Sequence, residues 1–273
     1  MLALVLCAWA SLPRAELRPE WEFGVGATAF TLPDYRGSDE SRAYLLPFPY
    51  VIYRGDRLRV DRQGVRGVFF ESERIEFDLS LNATPPVNSE KNRARQGMPH
   101  LDPTLEIGPR LNVKLLGDRA RDWAVNLRMP LRAVIATDLS HAEGAGYVAY
   151  PHLTFDTRPN LFGGRWNVGL QAGPLYATRR YHRYFYGVDP QFATPERPAY
   201  AAGGGYSGAL ALASITRRWQ RYWLGAFVRY DTLKGAAFES SPLMRRDYSV
   251  MAGIAFAWVF AESERRVEVE VDD

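Results

Sequence analysis

From Glu20 to Phe260 the chain alternates: large apolar side chains recur at every second position and polar ones fill the places between. Trp21, Phe23, Val25, Ala27 and Ala29 share one face. Ile75, Phe77, Leu79, Leu81 and Ala83 share another, with Arg74, Glu76, Asp78, Ser80 and Asn82 opposite. Leu105, Ile107, Pro109, Leu111, Val113 and Leu115 alternate against Glu106, Gly108, Arg110, Asn112 and Lys114. The run from Trp123 to Ile135 has Asn126, Arg128 and Arg132 on its polar side, and similar runs cover 166–176, 222–230 and 248–260. A period of two puts alternate residues on opposite faces of a strand, and helical periodicity is almost absent. The chain is therefore expected to be all-β.

Several of these runs reach ten residues or more. Ordinary strands average about five or six, whereas a tilted strand of roughly 9–11 residues crosses a hydrocarbon core. Trp21, Trp123, Trp166, Tyr222, Tyr248, Trp258 and Phe260 fall at the ends of runs, where the aromatic girdles of a membrane barrel lie. The pattern predicts a transmembrane antiparallel up-and-down β-barrel over 16–260. Its polar faces then line the lumen, placing Glu76, Asp78, Glu106, Arg110, Lys114, Arg128, Arg132 and Arg229 inside. Two readings of these charges stay open: a salt-bridged plug filling a small barrel, or a constriction that selects charged solutes.

Connection lengths set the strand count. Long connections fall at 31–42, 84–102, 138–145, 178–204 and 232–245, and short ones near 54–56, 71–73, 117–122, 158–164 and 218–220. Short turns on one side and long loops on the other alternate only if 57–70 is two short strands turning at Arg62-Gln63, which gives about twelve. Without that break the count is odd.

Composition adds the compartment. Net charge is +3, from 34 basic and 31 acidic residues that are interspersed, so no basic cluster marks a nucleic-acid partner. Leu2–Ala10 is apolar and too short to span a bilayer as a helix; with Ala8-Trp9-Ala10, or Ala15, as cleavage site it reads as a signal peptide over 1–15. Cys7, the single cysteine, falls within it, so no disulfide framework is expected. Residues 261–273 form a charged tail assigned to the periplasm.

Chemistry-bearing motifs are weak. Asp138, Ser140 and His141 are triad residue types, but sequence neighbours rarely converge as a triad does. His100, His141, His152 and His182 lack metal-ligand spacing. No enzyme, cofactor or metal is expected. The stretch LLPFPYVIY (45–53) is the local anomaly: Pro47 and Pro49 interrupt a strand pattern, and proline cannot donate to a ladder. They are expected to project into the lumen and to mark an irregularity of the wall.

Three segments carry a family resemblance: DYRGSDESRAYLLPFPYVIYRGDRLRVDRQGVRG (34–67), RYHRYFYGVDPQFATPERPAYAAGGGYSG (180–208) and RYDTLKGAAFESSPLMRRDYSVMAGIAFAWVF (229–260). Together they resemble the MipA/OmpV family of Gram-negative outer-membrane proteins. The resemblance implies an outer-membrane barrel and, by the founding member, a scaffold linking a murein lytic transglycosylase to a penicillin-binding murein synthase. Family barrels usually end on an aromatic residue; here thirteen residues follow Phe260. The alternatives are a narrow transport pore and an adhesin acting through loops 84–102 and 178–204.

Overall fold

The computed structural model describes residues 16–61, 64–118, 122–138 and 140–269. In it the alternating runs are strands of one sheet: β1 (Trp21–Pro33), β2 (Ser41–Arg54), β3 (Leu58–Asp61), β4 (Gly64–Glu71), β5 (Ile75–Thr84), β6 (Thr104–Asp118), β7 (Trp123–Thr137), β8 (Ala142–Ala149 continued by His152–Thr157), β9 (Asn167–Ala177), β10 (Gly205–Trp219), β11 (Tyr222–Thr232) and β12 (Tyr248–Glu262). Each pairs antiparallel with its sequence neighbours, and β12 returns to β1, with Ala252 opposite Thr31 and Phe256 opposite Ala27. Twelve strands thus close an up-and-down barrel.

The stretch 57–70 divides into β3 and β4, with Asp61 opposite Gly64. The turn expected at Arg62-Gln63 lies outside the described residues, as do the signal segment 1–15 with its cleavage after Ala10 or Ala15, and residues 270–273 of the tail. The remaining connections alternate in length. The turn end carries 55–57, 72–74 and 220–221, together with a small hairpin of Asn160–Leu161 and Gly164–Arg165. The loop end carries 34–40, 85–103, 178–204 and 233–247.

Part of the 261–273 tail is ordered as strand. β12 continues past Phe260 to Glu262, and Arg266–Val269 turns back to pair antiparallel with Glu16–Pro19. This two-stranded ribbon folds beneath the turn end. It is held by Arg265–Glu20 (3.3 Å), Arg218–Glu262 (3.5 Å) and the Arg54 guanidinium donating to the Pro19 carbonyl (2.6 Å).

The prolines of β2 require a correction. Register places Val25 opposite Pro49 and Ala27 opposite Pro47. Pro47, Pro49, Val25 and Leu45 are exposed on the outer face, while Tyr50 on the inner face is buried. The prolines therefore point outward, not into the lumen. The β1–β2 ladder runs through them without a register shift, so they make no bulge. The irregularity lies on the other edge of β2. There β3 pairs only with Tyr53 and Arg54, and β4 reaches no further along β5 than Leu79.

The orientation of the peptide groups explains why proline is tolerated. Arg54 N–H donates to Glu20 O toward β1, whereas Gly55 N–H donates to Leu58 O toward β3. Peptide groups alternate along a strand, so the odd-numbered residues of β2 face the edge that has no partner. Pro47 and Pro49 are missing donors only where no acceptor strand exists.

Candidate functional site

The interior has two unlike walls. β4 to β8 carry charge. Arg110 clasps the fully buried Asp78 with Nε and Nη2 at 2.8–3.2 Å, and Asn112 donates to both Asp78 and Glu76 at 2.9 Å. Glu76 also accepts from Arg66 and Arg59, each at 3.0 Å. Arg132 donates to Ser80 (2.7 Å) and pairs with Glu106 (3.3 Å); Arg128 lies 3.9 Å from Asp156. Lys114 is half-buried on β6, opposite Asn126. The structure thus brings Glu76, Asp78, Glu106, Arg110, Lys114, Arg128 and Arg132 onto neighbouring strands of one wall.

Arg229 stands apart on β11. It pairs with the fully buried Asp231 (2.8 Å), which also takes Arg36 from the first long loop (2.7 Å). Arg36 reaches on to Ser207 (3.2 Å). The other wall, formed by β11, β12, β1 and β2, is apolar along its middle, where Tyr50, Ala257 and Val259 pack against Phe48, Ile52 and Trp223, and carries charge toward its ends, Arg229 with Asp231 at one and Glu22 with Arg54 at the other.

The loop end carries a packed apolar cluster. Tyr35, Met98, Tyr186, Val188, Leu233, Phe238 and Leu243 come from four different connections and form one buried apolar cluster. Phe238 stacks on Tyr186 with centroids 3.6 Å apart, and Phe238, Leu233 and Leu243 have no solvent exposure. The loop backbones are joined by isolated bridges, Val87 with Leu101 and Val188 with Tyr200, and by the bonds of Arg245 and Arg246 N–H to Gly37 O; side chains add the rest. Tyr35 Oη donates to Leu243 O (2.8 Å), Tyr186 Oη to Arg36 O (3.0 Å) and Ser241 Oγ to Tyr186 O (2.7 Å). Burial pushes the Tyr35 and Tyr186 phenols upward. The 85–103 connection, polar in sequence, is drawn into this cap: Asn92 donates to Asp34 (2.9 Å) and Arg95 to Phe185 O (3.1 Å).

Sequence periodicity missed a helix within 178–204. α1 (Arg179–Tyr186) lays Tyr181 against Val134, Val148 and Leu210 inside the barrel. His182 of α1 is fully buried, with Nδ1 2.7 Å from Gly203 O and Nε2 unpartnered among the described residues. Burial foremost, then the nearby Arg36, lowers its pKa below the ordinary imidazole value; the Gly203 carbonyl opposes this. Tyr181, Tyr186 and Phe238 complete its surroundings. A histidine whose folded pKa is depressed adds stability above the unfolded value of about 6.5. That stability is lost as pH falls from there through the lower folded value. Protection factors of amides in 178–204 and 233–247, each referred to the intrinsic exchange rate at its own pH, are therefore expected to be lower at pH 4.5 than at pH 7.5 by hydrogen-exchange mass spectrometry, and His182→Gln removes most of the difference.

At the turn end a cavity of about 170 Å³ lies among Glu22, Tyr50, Arg54, Arg59, Arg218 and Trp223, with Arg18 and Glu268 of the ribbon across it. The buried Glu22 carboxylate takes Arg54 and Arg218, each at 3.0 Å. Ser140 Oγ, Ser140 N and His141 N all donate to Asp138 Oδ1 at 2.8–3.0 Å, and the Ser140 hydroxyl foremost holds its pKa below the usual carboxylate range. Among the described residues, no three His, Cys, Asp or Glu side chains are grouped to hold a metal ion.

Aromatic contacts ring the two ends. Trp21–Phe23 (5.0 Å), Trp123–Phe155 (6.4 Å), Tyr222–Phe256 (5.7 Å) and Trp258–Phe260 (5.8 Å) lie toward the turn end, and Tyr230–Tyr248 (6.2 Å) toward the loop end. Trp166 belongs to the turn-end hairpin: its Nε1 donates to Leu161 O (2.9 Å) and Arg217 lies 5.4 Å from its ring.

A closed antiparallel sheet, apolar outside and polar along half its interior, with aromatic belts and short turns at one end, defines an outer-membrane β-barrel. The chain belongs to the family of the MltA-interacting protein MipA, which matches residues 25–260. It is 25% identical over 253 residues to outer membrane protein Omp26La of Vibrio anguillarum, spanning 88% of this chain and 87% of that protein. Among solved structures it is similar to the NanC porin (8% identity, TM-score 0.40, 86% of this chain and 98% of that one). It is also similar to a bacterial polysaccharide outer membrane secretin (9% identity, TM-score 0.45, 88% and 99%). The protein is thus one of the outer membrane; in a barrel of this class the turn end is periplasmic and the loop end faces outward.

Proposed function

We propose that the chain is a non-catalytic scaffold of the outer membrane, whose periplasmic face holds a murein lytic transglycosylase and a penicillin-binding murein synthase. The observation that carries this reading is the four-loop apolar cluster across the outer mouth. A barrel with a packed lid over the lumen is a poor diffusion pore, and loops that bury their apolar side chains in one another are poor adhesive tips. The family description, MltA-interacting protein, supports a partner of this kind.

Short turns alone offer little docking surface. The ribbon of Glu16–Pro19 with Arg266–Val269 and the hairpin at 160–165 enlarge the periplasmic face. The narrow-pore reading has one observation in its favour, the charged cavity at the turn end, but the lid stands between that cavity and the exterior. The test is retention of a purified lytic transglycosylase by the immobilised folded barrel, beside an unrelated barrel and a variant lacking 266–273. Retention by the whole chain, weakened by the deletion, is expected. Retention no greater than the unrelated barrel's overturns the scaffold.

A further inference from the structure

On one side the ring of ladders is closed only near the turn end. Between β2 and β5 the intervening strands among the described residues are the short β3 and β4. Ladder pairing stops at Tyr53 on one flank and at Leu79 on the other. Above that level, Ala43–Val51 of β2 has no ladder partner on this edge among the described residues, roughly 26 Å of strand at about 3.3 Å per residue. The 85–103 connection closes the gap from above, with Arg42 bound to Asp34 (2.6 Å) and to the Lys91 carbonyl (3.1 Å). The result is a window in the membrane-spanning wall, beneath the lid.

An unpaired edge in hydrocarbon is costly, because its peptide groups find no water. Pro47 and Pro49 turn toward this edge, and each removes one N–H that would otherwise be exposed there. The same prolines obstruct the addition of a further strand, which argues against a second copy or a partner's strand as the occupant. What remains is something that needs no backbone ladder.

The interior behind the window suits an apolar chain. The rings of this wall lie flat over glycines: a Cβ at Gly26 would sit 2.7 Å from Phe48, and one at Gly253 would sit 2.6 Å from Phe227. Both rings are only half-buried, so each keeps part of its surface exposed. Leu46 faces inward, in step with Phe48 and Tyr50, yet it is 46% exposed; Leu45, on the membrane side of the same edge, is 75% exposed. Apolar surface therefore continues from the membrane, around the β2 edge and onto the inner wall.

The geometry points to a lateral lipid site: an acyl chain of the surrounding outer-leaflet lipid enters between β2 and β5 and lies on the inner wall against Leu46, Phe48 and Phe227. This goes beyond the scaffold reading and stands or falls without it.

The test is contact-range photolabelling. The full chain is placed in nanodiscs containing a phosphatidylcholine with a diazirine near the end of one acyl chain, irradiated, and mapped by mass spectrometry. Adducts on the inward-facing Leu46, Phe48 or Phe227 are expected, beside those on outward residues such as Leu45 and Ile254. In Leu46→Arg the charge at the window should lower the inner adducts at Phe48 and Phe227 by about tenfold or more, with labelling at Ile254 and heat-modifiable migration unchanged. Adducts confined to outward residues of the wild type, or inner adducts insensitive to Leu46→Arg, overturn the proposal.

Discussion

Phe238→Ala unlocks the outer mouth while leaving the barrel standing. Phe238 is fully buried at the centre of the lid and stacks on Tyr186 and against His182. Truncating a buried phenylalanine costs about 3–5 kcal/mol, through lost burial and the cavity left behind. The lid is held by side-chain packing and isolated hydrogen bonds, whereas the strands beneath it are held by continuous ladders. The loss therefore falls on the lid. Hydrogen exchange is expected to rise across 34–40, 85–103, 178–204 and 233–247 together, since all four contribute to one cluster, and to stay low in β10–β12. Faster exchange in 233–247 alone would mean that the loops are not one unit.

Asp78→Ala has an effect of similar size by a different route. Asp78 has no solvent exposure and receives Arg110 and Asn112. Removing it strands the Arg110 guanidinium, itself nearly buried, with no carboxylate in a space too crowded to hydrate it. Breaking a buried pair from one side costs about 3–5 kcal/mol. Replacing both members by apolar residues of similar bulk is close to neutral. The denaturant midpoint for loss of the folded gel form should fall clearly in Asp78→Ala and recover most of the way in Asp78→Leu with Arg110→Met. A double variant as weak as the single one would show that the network specifies the barrel in some way beyond pairing charge with charge.

These two sites also mark where the sequence is legible. On β5 one face is Ile75, Phe77, Leu79 and Leu81 and the other is Glu76, Asp78 and Ser80, so periodicity tells inside from outside as well as strand from helix. The same contrast makes β6 and β7 readable, and the alternation of connection lengths demands the split of 57–70 that the structure contains. On β2 both faces are apolar: Leu45, Pro47, Pro49 and Val51 against Leu46, Phe48, Tyr50 and Ile52. Alternation there carries no sign, because the inner wall beside it is itself apolar. This is why the prolines are expected inward and found outward.

The lid was illegible for a different reason. Tyr35, Met98, Tyr186, Phe238 and Leu243 lie far apart in sequence, in connections rich in charge, glycine and proline. Each looks like an isolated surface residue until the barrel brings its loops together. The one local signal is the density of aromatic residues in RYHRYFYGV (180–188), too many for a solvated loop. The ribbon beneath the barrel has no signal in either half alone, since Glu16–Pro19 and Arg266–Val269 are four residues each, lie at opposite ends of the chain and are neighbours only in the folded barrel.

Planar-bilayer recording of the purified barrel beside Phe238→Ala tests the closed outer mouth, on which the scaffold reading rests. A silent wild-type protein and discrete openings in Phe238→Ala are the predicted result. Steady, stepwise conductance through the wild-type protein, unchanged by Phe238→Ala, would contradict it.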